Sequence, residues 1–148
     1  MKFSLVTVTF NSARTFRDTI NSVLSQTYQD LEYIIVDGLS SDGTVEIIKE
    51  YESLFCGRMK WISEKDYGLY DAMNKGFRMA TGEIVGIINS DDLIADPAAI
   101  EKVVKCFEDD GSIDAVYADL YYVAQNDTSK IVRHWKSRKQ RSLSLIHI

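Results

Sequence analysis

Short apolar strands alternate with amphipathic helical segments along most of this 148-residue chain, and this alternation constrains the fold more than any other feature. The segments "FSLVTVTF" (3–10) and "LEYIIVD" (31–37) are continuous β-branched and apolar runs, typical of strands buried on both faces of a parallel sheet. The shorter segments "RMKWIS" (58–63) and "EIVGIIN" (83–89) are predicted to form two further strands. We therefore predict four strand-then-helix units and a mainly parallel sheet covered by helices.

Apolar residues at helical spacing follow each predicted strand. The fourth helix is predicted to begin with Asp96 as its N-cap and Pro97 at its first helical position, and to run to about Glu108. Further strands are predicted within 114–124 and in "KIVRHWK" (130–136). The three helices predicted before this one span residues 13–26, 44–55 and 69–80.

The composition indicates an ordered globular chain. Apolar residues make up 45% of it and there is one proline, which argues against disorder. The net charge is −5, yet 130–148 holds six basic residues and no acid. The acidic remainder argues against nucleic acid as the main partner.

Cysteine usage and hydropathy predict a cytoplasmic protein. Cys56 and Cys106 have no CxxC spacing and are predicted to be small buried thiols in a reducing cytosol. The N-terminal "KFSLVTVTF" is too short and too strand-like for a signal peptide. No apolar run approaches the ~20 residues of a membrane helix.

Polar residues follow the predicted strands at their carboxyl ends. Asn11 follows the first strand, Asp37 ends the second, Asp66 follows the third, and Asp91 and Asp92 follow the fourth. Ligands of parallel α/β sheets bind at the carboxyl ends of the strands, so we expect these side chains to converge on one site.

Two interpretations of these residues compete. Asn and Asp at strand ends also form turns and cap helices. That interpretation explains Asp37 less well, because Asp37 interrupts an apolar strand. It also leaves the neighbouring charges of Asp91 and Asp92 unexplained, because like charges repel each other. Turn formation or capping is favoured for four others: Asn11, Ser41, Asp42 and Asp96.

Five motifs in a fixed order then identify a family. "TFN", "SVLSQTY", "VDGLSSDGT", "DAMNKG" and "GEIVGIINSDD" together resemble a family 2 glycosyltransferase over residues 3–124. The resemblance implies an α/β, GT-A (Rossmann-like) three-layer sandwich with a mainly parallel sheet, apparently truncated at its C-terminal acceptor side. It implies a nucleotide-sugar-binding domain over 1–125 and a basic tail over 126–148.

The resemblance also implies roles for the carboxylates. Family members transfer a sugar from a nucleotide diphosphate to an acceptor hydroxyl with inversion. Asp37 would then accept a hydrogen bond from the base, usually the imide N–H of uracil. Asp91 would face the ribose or sugar, and Asp92 would bind Mg²⁺ or Mn²⁺, which neutralises the leaving diphosphate. Asn89 stands where many relatives have Asp.

The remaining implied positions are less specific. Thr9, Phe10 and Asn11 would line the nucleotide edge and Asp66 the rim of the donor pocket. Phe10 replaces a commoner Tyr, and a core position explains it equally well. On the third helix, a structural role explains Asp71 and Asn74 at least as well as a role in binding. Lys75 is interpreted as a solvated helix lysine, with a contact to the diphosphate as the alternative.

The resemblance further implies a catalytic base, an acceptor and partners that lie outside the donor site. The family's general base lies in a later acidic motif, so we expect it beyond Ile148, and such a base is typically worth ~10²–10⁴-fold in rate. The end "SRKQRSLSLIHI" matches nothing expected and is interpreted as a truncated or non-native end. The basic segment "RHWKSRKQR" is either a solvated end or a contact to a plasma membrane that holds a lipid-linked acceptor.

An open sheet that lacks its second half would expose apolar surface, and this surface would favour a homodimer that covers it.

Three alternatives stay open beside a bacterial glycosyltransferase of cell-surface polysaccharide synthesis. A nucleotidyltransferase would carry a Gly-rich basic loop after its first strand, whereas "TFNSARTF" has no glycine. A receiver domain would carry an acidic pair at the first strand, which "TVTFN" lacks. A non-catalytic module that binds a nucleotide sugar or a partner would have the donor residues without the general base.

Overall fold

The computed structural model of the chain describes residues 1–124 and 126–137. The chain divides into two compact units, Met1–Gly111 and Ser112–Ile148. The sequence prediction put the boundary later, after residue 125. The structural division falls earlier because the strands on either side of residue 125 pair with each other and not with the parallel sheet. The functional assignment of 1–125 and 126–148 stays a prediction.

The first unit contains the four predicted strand-then-helix units. Its strands are β1 (Phe3–Thr9), β2 (Leu31–Asp37), β3 (Met59–Ser63) and β4 (Ile84–Ile87). Its helices are α1 (Phe16–Leu24), α2 (Thr44–Glu52), α3 (Leu69–Met79) and α4 (Ala99–Asp109), with a 3₁₀ turn at Ser53–Phe55. The prediction for β2 agrees with its observed bounds, and the other elements differ by one to three residues at their ends. Within the described ranges, no helix is long and apolar enough to cross a bilayer.

All four strands of this unit are parallel, in the order β3-β2-β1-β4. Every residue of the central strands β1 and β2 is buried, which explains their continuous apolar sequences. At the carboxyl end the register places Thr9 opposite Asp37, and Asp37 opposite Ser63. The parallel sheet confirms the prediction and puts the carboxyl ends of the strands at one edge.

Helices cover both faces of the sheet, which confirms the three-layer sandwich. On one face α1, α2 and α4 bury residues such as Phe16 and Val104. On the other face α3 packs through Ala72. This helix lies close to the sheet at Gly76, where an added Cβ would clash with Val6.

The start of α4 differs from the prediction. The helix begins at Ala99, two residues after Pro97. Asp96 Oδ1 accepts a hydrogen bond from the Ala98 N–H (2.9 Å), and the Asp96 carbonyl oxygen accepts one from the Ala99 N–H (2.9 Å). The prediction of Asp96 as N-cap and Pro97 as first helical residue is wrong, because Asp96 forms a turn that precedes the helix.

Both cysteines are exposed, so the prediction of buried thiols is wrong. Cys56 ends the 3₁₀ turn with a left-handed backbone (φ 51°). Cys106 lies two residues after the buried Val104 on α4, and two residues correspond to roughly half a helical turn. Its position on the helix therefore puts it on the side away from the core.

A buried carboxylate, Glu32, lies at the amino end of the sheet. It accepts hydrogen bonds from the Ser4 hydroxyl (2.5 Å), the Thr81 N–H (2.5 Å) and the Lys60 ammonium (3.0 Å). The Lys2 ammonium lies 3.1 Å from it. Burial alone would raise the pKa of Glu32, but the hydrogen bonds from Ser4, Thr81 and Lys60 outweigh it and hold the pKa well below its usual range. This network joins β1, β2, β3 and the turn before β4.

The second unit contains an antiparallel strand pair, β5 (Leu120–Ala124) and β6 (Asp127–Trp135). This pair confirms the strands predicted within 114–124 and 130–136. The predictions about the basic end from Arg138 onward lie outside the described residues.

A small polar cluster lies at the open end of this strand pair, where β5 begins and β6 ends. The Asp119 carboxylate accepts hydrogen bonds from the Ser137 N–H and hydroxyl, both at 2.9 Å, and lies 3.0 Å from His134 Nε2. The Tyr121 ring stacks on His134 with centroids 4.4 Å apart. These contacts tie the residue before β5 to the end of β6.

We predict that Glu32→Gln makes the fold less stable at neutral pH and less sensitive to acid. The folded pKa of Glu32 lies below its unfolded value of 4.5, so its carboxylate stabilises the fold above that pH, and the stabilisation is lost as pH falls. At pH 7 the variant should lose roughly 1.5–3 kcal/mol of unfolding free energy, the usual worth of hydrogen bonds to a charged group. From about pH 5 downward it should lose less further stability than the wild type. Urea unfolding followed by circular dichroism across this pH range provides the measurement.

Glu46→Gln, at an exposed position of α2, is the matched control. Its unfolding free energy should follow that of the wild type at each pH. An equal loss of stability on acidification in the wild type and in Glu32→Gln would contradict this role of Glu32.

Candidate functional site

The loops after β1 and β2 are joined by hydrogen bonds at the carboxyl edge of the sheet. The Asn11 N–H donates to Ser40 Oγ (2.8 Å), and the Ser41 N–H donates to Asn11 Oδ1 (2.9 Å). The Ala13 N–H donates to Asp42 Oδ2 (2.9 Å). Asn11 therefore lies between the two loops and connects them through its backbone and its side chain.

Asp42 forms a turn just before α2, which fits the turn-or-cap interpretation, while the N-cap position of α2 is occupied by Gly43. Its Oδ1 accepts hydrogen bonds from the Thr44 hydroxyl (2.6 Å) and the Thr44 N–H (3.1 Å). Together with the Ala13 N–H, the Thr44 hydroxyl lowers the pKa of Asp42 below its ordinary value. An ionised Asp42 thus holds the β1–α1 loop against the start of α2.

Asp37 is fully buried at the end of β2. Its Oδ1 accepts a hydrogen bond from Ser40 Oγ (2.5 Å), and its Oδ2 accepts from the Ser40 N–H (3.0 Å) and from Ser63 Oγ (2.6 Å). No cation forms an ion pair with Asp37 within the described part of the chain. A carboxylate offers about four lone-pair sites, so these three hydrogen bonds leave one acceptor position.

Thr9 is the neighbour of Asp37 on β1 in the sheet register. It is buried, and its Oγ1 has no hydrogen-bond partner in the structure. Its carbonyl oxygen accepts a hydrogen bond from the Gly38 N–H (2.9 Å). A buried hydroxyl without a partner is uncommon, and this one lies directly beside Asp37 in the register of the sheet.

Phe10 and Asp66 both lie against the backbone of Gly38. A Cβ added to Gly38 would lie 2.6 Å from Asp66 Oδ2 and 3.4 Å from Phe10 Cδ2, so a side chain there would displace the Asp66 carboxylate. Phe10 is 63% exposed, which excludes the core alternative for this residue. Asp66 Oδ1 accepts a hydrogen bond from the Gly68 N–H (2.9 Å). The structure thus brings together the residues after β1, β2 and β3.

The loop after β4 is fastened to the β1–α1 loop through Ser90. Ser90 Oγ lies 2.9 Å from Ser12 Oγ, and the Ser90 carbonyl oxygen accepts a hydrogen bond from Thr15 Oγ1 (3.0 Å). The Ser12 N–H in turn donates to Thr44 Oγ1 (2.9 Å). The segment that carries Asp91 is therefore anchored to the same edge as Asn11.

Asp91 and Asp92 are exposed on this loop. The Asp92 N–H donates to the Asn89 carbonyl oxygen (3.2 Å), and the Asn89 side-chain amide donates to Asp92 Oδ2 (2.8 Å). Asn89 therefore supplies a hydrogen-bond donor to Asp92 where a carboxylate would repel it.

Asp91 and Asp92 offer exposed oxygen ligands of the kind that a divalent cation prefers. Within residues 1–124 and 126–137, no three His, Cys, Asp or Glu side chains form a group that could hold a metal ion. Mg²⁺ commonly binds one or two carboxylates together with substrate phosphates. The exposed oxygens of Asp91 and Asp92 therefore fit a cation shared with a diphosphate better than one held by the protein alone.

Lys75 on α3 is held by acidic neighbours. Its ammonium lies 2.9 Å from Glu64 Oε1 and 3.5 Å from Asp71 Oδ2, and it donates to the Lys65 carbonyl oxygen (2.7 Å). The Glu64 hydrogen bond raises its pKa above the ordinary value. Its side chain is 15% exposed, so the expectation of a solvated lysine is wrong.

The sequence analysis missed the two serines that bind Asp37. Ser63 could have been found as the residue that ends the third strand, because parallel pairing places it opposite Asp37. Ser40 lies in "GLSSDG", where sequence alone does not distinguish a helix cap from a carboxylate partner.

Comparison with known proteins gives a family. The model for the family described as "Glycosyl transferase family 2" matches residues 4–146. The chain is 35% identical over 108 residues to an uncharacterised glycosyltransferase of Nostoc sp., covering 73% of this chain and 33% of that protein. It is 30% identical over 124 residues to a PGL/p-HBAD biosynthesis glycosyltransferase of Mycobacterium bovis, covering 84% and 48% respectively. The chain thus spans between a third and about half of these relatives.

Solved structures share the fold. S. aureus TarS 1-349 in complex with UDP-GlcNAc matches with a TM-score of 0.68 and 26% identity, over 74% of this chain and 32% of that chain. The mannosyltransferase PcManGT from Pyrobaculum calidifontis, solved with GDP-Man and Mn²⁺, matches with a TM-score of 0.69 and 23% identity, over 86% and 37%. With its parallel sheet, its layered helices and its motifs in family order, the chain belongs to glycosyl transferase family 2 and has the fold of the GT-A glycosyltransferases.

Proposed function

We propose that this chain binds a nucleotide-diphospho-sugar, with uridine as the nucleoside, for transfer of the sugar to an acceptor hydroxyl with inversion and with help from a divalent cation. The observation that carries the proposal is Asp37, a buried carboxylate without a cationic partner in the described residues, placed where the strand-end loops meet. S. aureus TarS, a 26% identical structural relative solved with UDP-GlcNAc, supports the choice of a uridine nucleotide.

In this proposal Asp37 recognises the base. Its one remaining acceptor position suits the imide N–H of uracil, and its neighbour Thr9 has a hydroxyl with no other partner. Phe10 and Asp66, which meet at Gly38, line the same nucleoside region. Asn11 holds the loops after β1 and β2 together through its hydrogen bonds with Ser40 and Ser41.

The diphosphate end of the donor is assigned to the loop after β4. Asp91 faces the ribose or the sugar, and Asp92, oriented by Asn89, holds Mg²⁺ or Mn²⁺. A bound cation supplies Lewis-acid neutralisation of the leaving diphosphate. Since both carboxylates are exposed, they reach a ligand without any rearrangement of the core.

The acceptor side is not assigned to residues of this chain. Inversion calls for a general base on the acceptor hydroxyl, and the proposal names no residue for it. We further propose a glycan or lipid-linked acceptor, a site of action at the inner face of the plasma membrane, and a role in bacterial cell-surface polysaccharide synthesis. The M. bovis relative, named for PGL/p-HBAD biosynthesis, supports a biosynthetic role.

We predict that UDP binding depends on a divalent cation through Asp92. In calorimetric titrations with Mn²⁺, Asp92→Asn should bind UDP more weakly than the wild type by roughly tenfold or more, because even indirect partners of a bound metal are worth that much. EDTA should lower the UDP affinity of the wild type to that of the variant, and it should change the UDP affinity of the variant little.

Asp109→Asn is the control, since Asp109 ends α4 and lies near Lys105 (3.9 Å). It should bind UDP like the wild type. Equal UDP affinity of the wild type with Mn²⁺ and with EDTA would remove Asp92 from this role.

We predict that Asp37→Asn weakens base recognition without affecting the diphosphate site. Loss of a charged acceptor should lower UDP affinity roughly ten- to a hundredfold, which corresponds to about 1.5–3 kcal/mol. The affinity for Mn²⁺-pyrophosphate, which has no base, should stay at the wild-type value. Parallel thermal unfolding shows whether the variant is folded. If folded Asp37→Asn bound UDP like the wild type, Asp37 would not be the residue that recognises the base.

A further inference from the structure

A cavity of about 220 Å³ lies at the amino end of the parallel sheet, at the opposite end of β2 from Asp37. Three cationic side chains line it. Lys2 precedes β1, Arg58 precedes β3, and Lys60 lies on β3. Pockets for drug-sized ligands have volumes of roughly 300–1,000 Å³, so this smaller cavity is suited to a small ligand.

One of the carboxylates in the cavity wall, Glu32, has no capacity left for further donors. Its Oε1 accepts hydrogen bonds from Ser4 Oγ and the Thr81 N–H, both at 2.5 Å. Its Oε2 lies 3.1 Å from the Lys2 ammonium and 3.0 Å from the Lys60 ammonium. Two ammonium groups therefore share one carboxylate charge, and the surplus positive charge lies at the cavity.

The guanidinium of Arg58 adds a cation whose position is set by its backbone. Gly57 precedes it with a left-handed backbone (φ 81°), the Arg58 N–H donates to the Phe55 carbonyl oxygen (3.0 Å), and the Arg58 carbonyl oxygen accepts from the Tyr33 N–H (2.8 Å). The Arg58 side chain is half-buried. Its guanidinium has no hydrogen bond or ion pair with any other residue in the parts of the chain that the structure describes.

The cavity wall therefore has more hydrogen-bond donors than acceptors. A guanidinium has five N–H donors and an ammonium has three. Lys2 uses its donors on Thr81 Oγ1 (2.6 Å) and Glu32, and Lys60 uses one on Glu32, whereas all those of Arg58 stay available. The second carboxylate in the wall belongs to Asp30, which is exposed. With three cations and two carboxylates, the wall keeps a net positive charge.

We propose that this cavity binds a small phosphate-type anion, with Arg58 as its main contact. Phosphate offers several acceptor oxygens, and a guanidinium binds two of them through parallel charge-assisted hydrogen bonds. The free donors of Lys60 and Lys2 complete the site, and the Asp30 carboxylate limits its affinity by repulsion. A bound anion bridges the residue before β1 and the start of β3, and it stabilises the folded chain because the unfolded chain has no such site.

The experiment is a calorimetric titration with inorganic phosphate in EDTA, which removes any cation that could hold phosphate at Asp92. The wild type should bind phosphate, and Arg58→Gln should bind it about fivefold or more weakly, because the paired charge-assisted hydrogen bonds are lost. Arg78→Gln is the matched control, since Arg78 is an exposed arginine of α3 that does not line the cavity. It should bind phosphate like the wild type.

A second variant changes the affinity in the opposite direction. Asp30→Asn removes a like charge from the cavity wall and should bind phosphate roughly twofold or more tightly than the wild type. Asp109→Asn makes the same charge change at the exposed end of α4 and should leave phosphate affinity unchanged. This pair decides the test if Arg58→Gln does not fold, which thermal unfolding without phosphate shows.

Equal phosphate affinities of Arg58→Gln and Arg78→Gln, or of Asp30→Asn and Asp109→Asn, would overturn the inference. A wild type that binds no phosphate would also overturn it. Asp92→Asn should bind phosphate in EDTA like the wild type, and a loss there with no effect of Arg58→Gln would place the anion at the loop after β4 instead. None of these results affects the proposed function, which is tested by UDP and Mn²⁺ at the other end of the sheet.

Discussion

The burial of the Asp37 carboxylate is the constraint on which the rest of the candidate site depends. An ionised carboxylate out of water is costly unless it is hydrogen-bonded, and in the described part of the chain its donors are hydroxyls and a backbone N–H rather than a cation. Ser63 comes from the neighbouring strand, and Ser40 comes from the loop after β2. Because Ser40 must reach back to Asp37, the loop turns sharply at Leu39 and meets Asn11. One buried charge thus fixes the shape of two loops.

β2 carries a second buried carboxylate at its other end, and the comparison between the two separates a structural role from a binding role. Glu32 is surrounded by two ammonium groups, two hydroxyls and a backbone N–H, so its charge is compensated within the protein. Asp37 has no ammonium partner in the described residues, and it lies beside the unpartnered Thr9 hydroxyl. An N–H donor from a ligand would therefore gain more at Asp37 than at Glu32. Glu32 is suited to hold the sheet together and Asp37 to bind.

Much of this arrangement could be predicted from the sequence, for physical reasons that particular residues show. Continuous burial of β1 and β2 leaves an unmistakable apolar pattern, and Asp37 interrupts that pattern where the strand ends. The exposed Cys106 could have been recognised from its spacing to Val104, which places it on the polar side of α4. The turn at Asp96 and the left-handed backbone of Leu39 (φ 63°) could not, since long-range hydrogen bonds accompany both. The Gln26 side-chain amide donates to the Asp96 carbonyl oxygen, and the Ser41 N–H donates to Asn11 Oδ1. Periodicity shows which side chains are buried but not which loop hydroxyl reaches them.

Asn89 changes the balance of charges beside Asp92, in comparison with the Asp that the family resemblance leads one to expect at this position. A carboxylate at this position would add a negative charge beside Asp92 and strengthen the attraction for a cation. The amide of Asn89 instead donates to Asp92 Oδ2 and occupies one of the oxygens that could bind a metal. In the proposed function, Asp91 and Asp92 offer a cation their carboxylates and the diphosphate of the donor supplies the remaining negative charge. In the proposed function, metal and nucleotide therefore stabilise each other's binding at this edge, and neither binds tightly without the other.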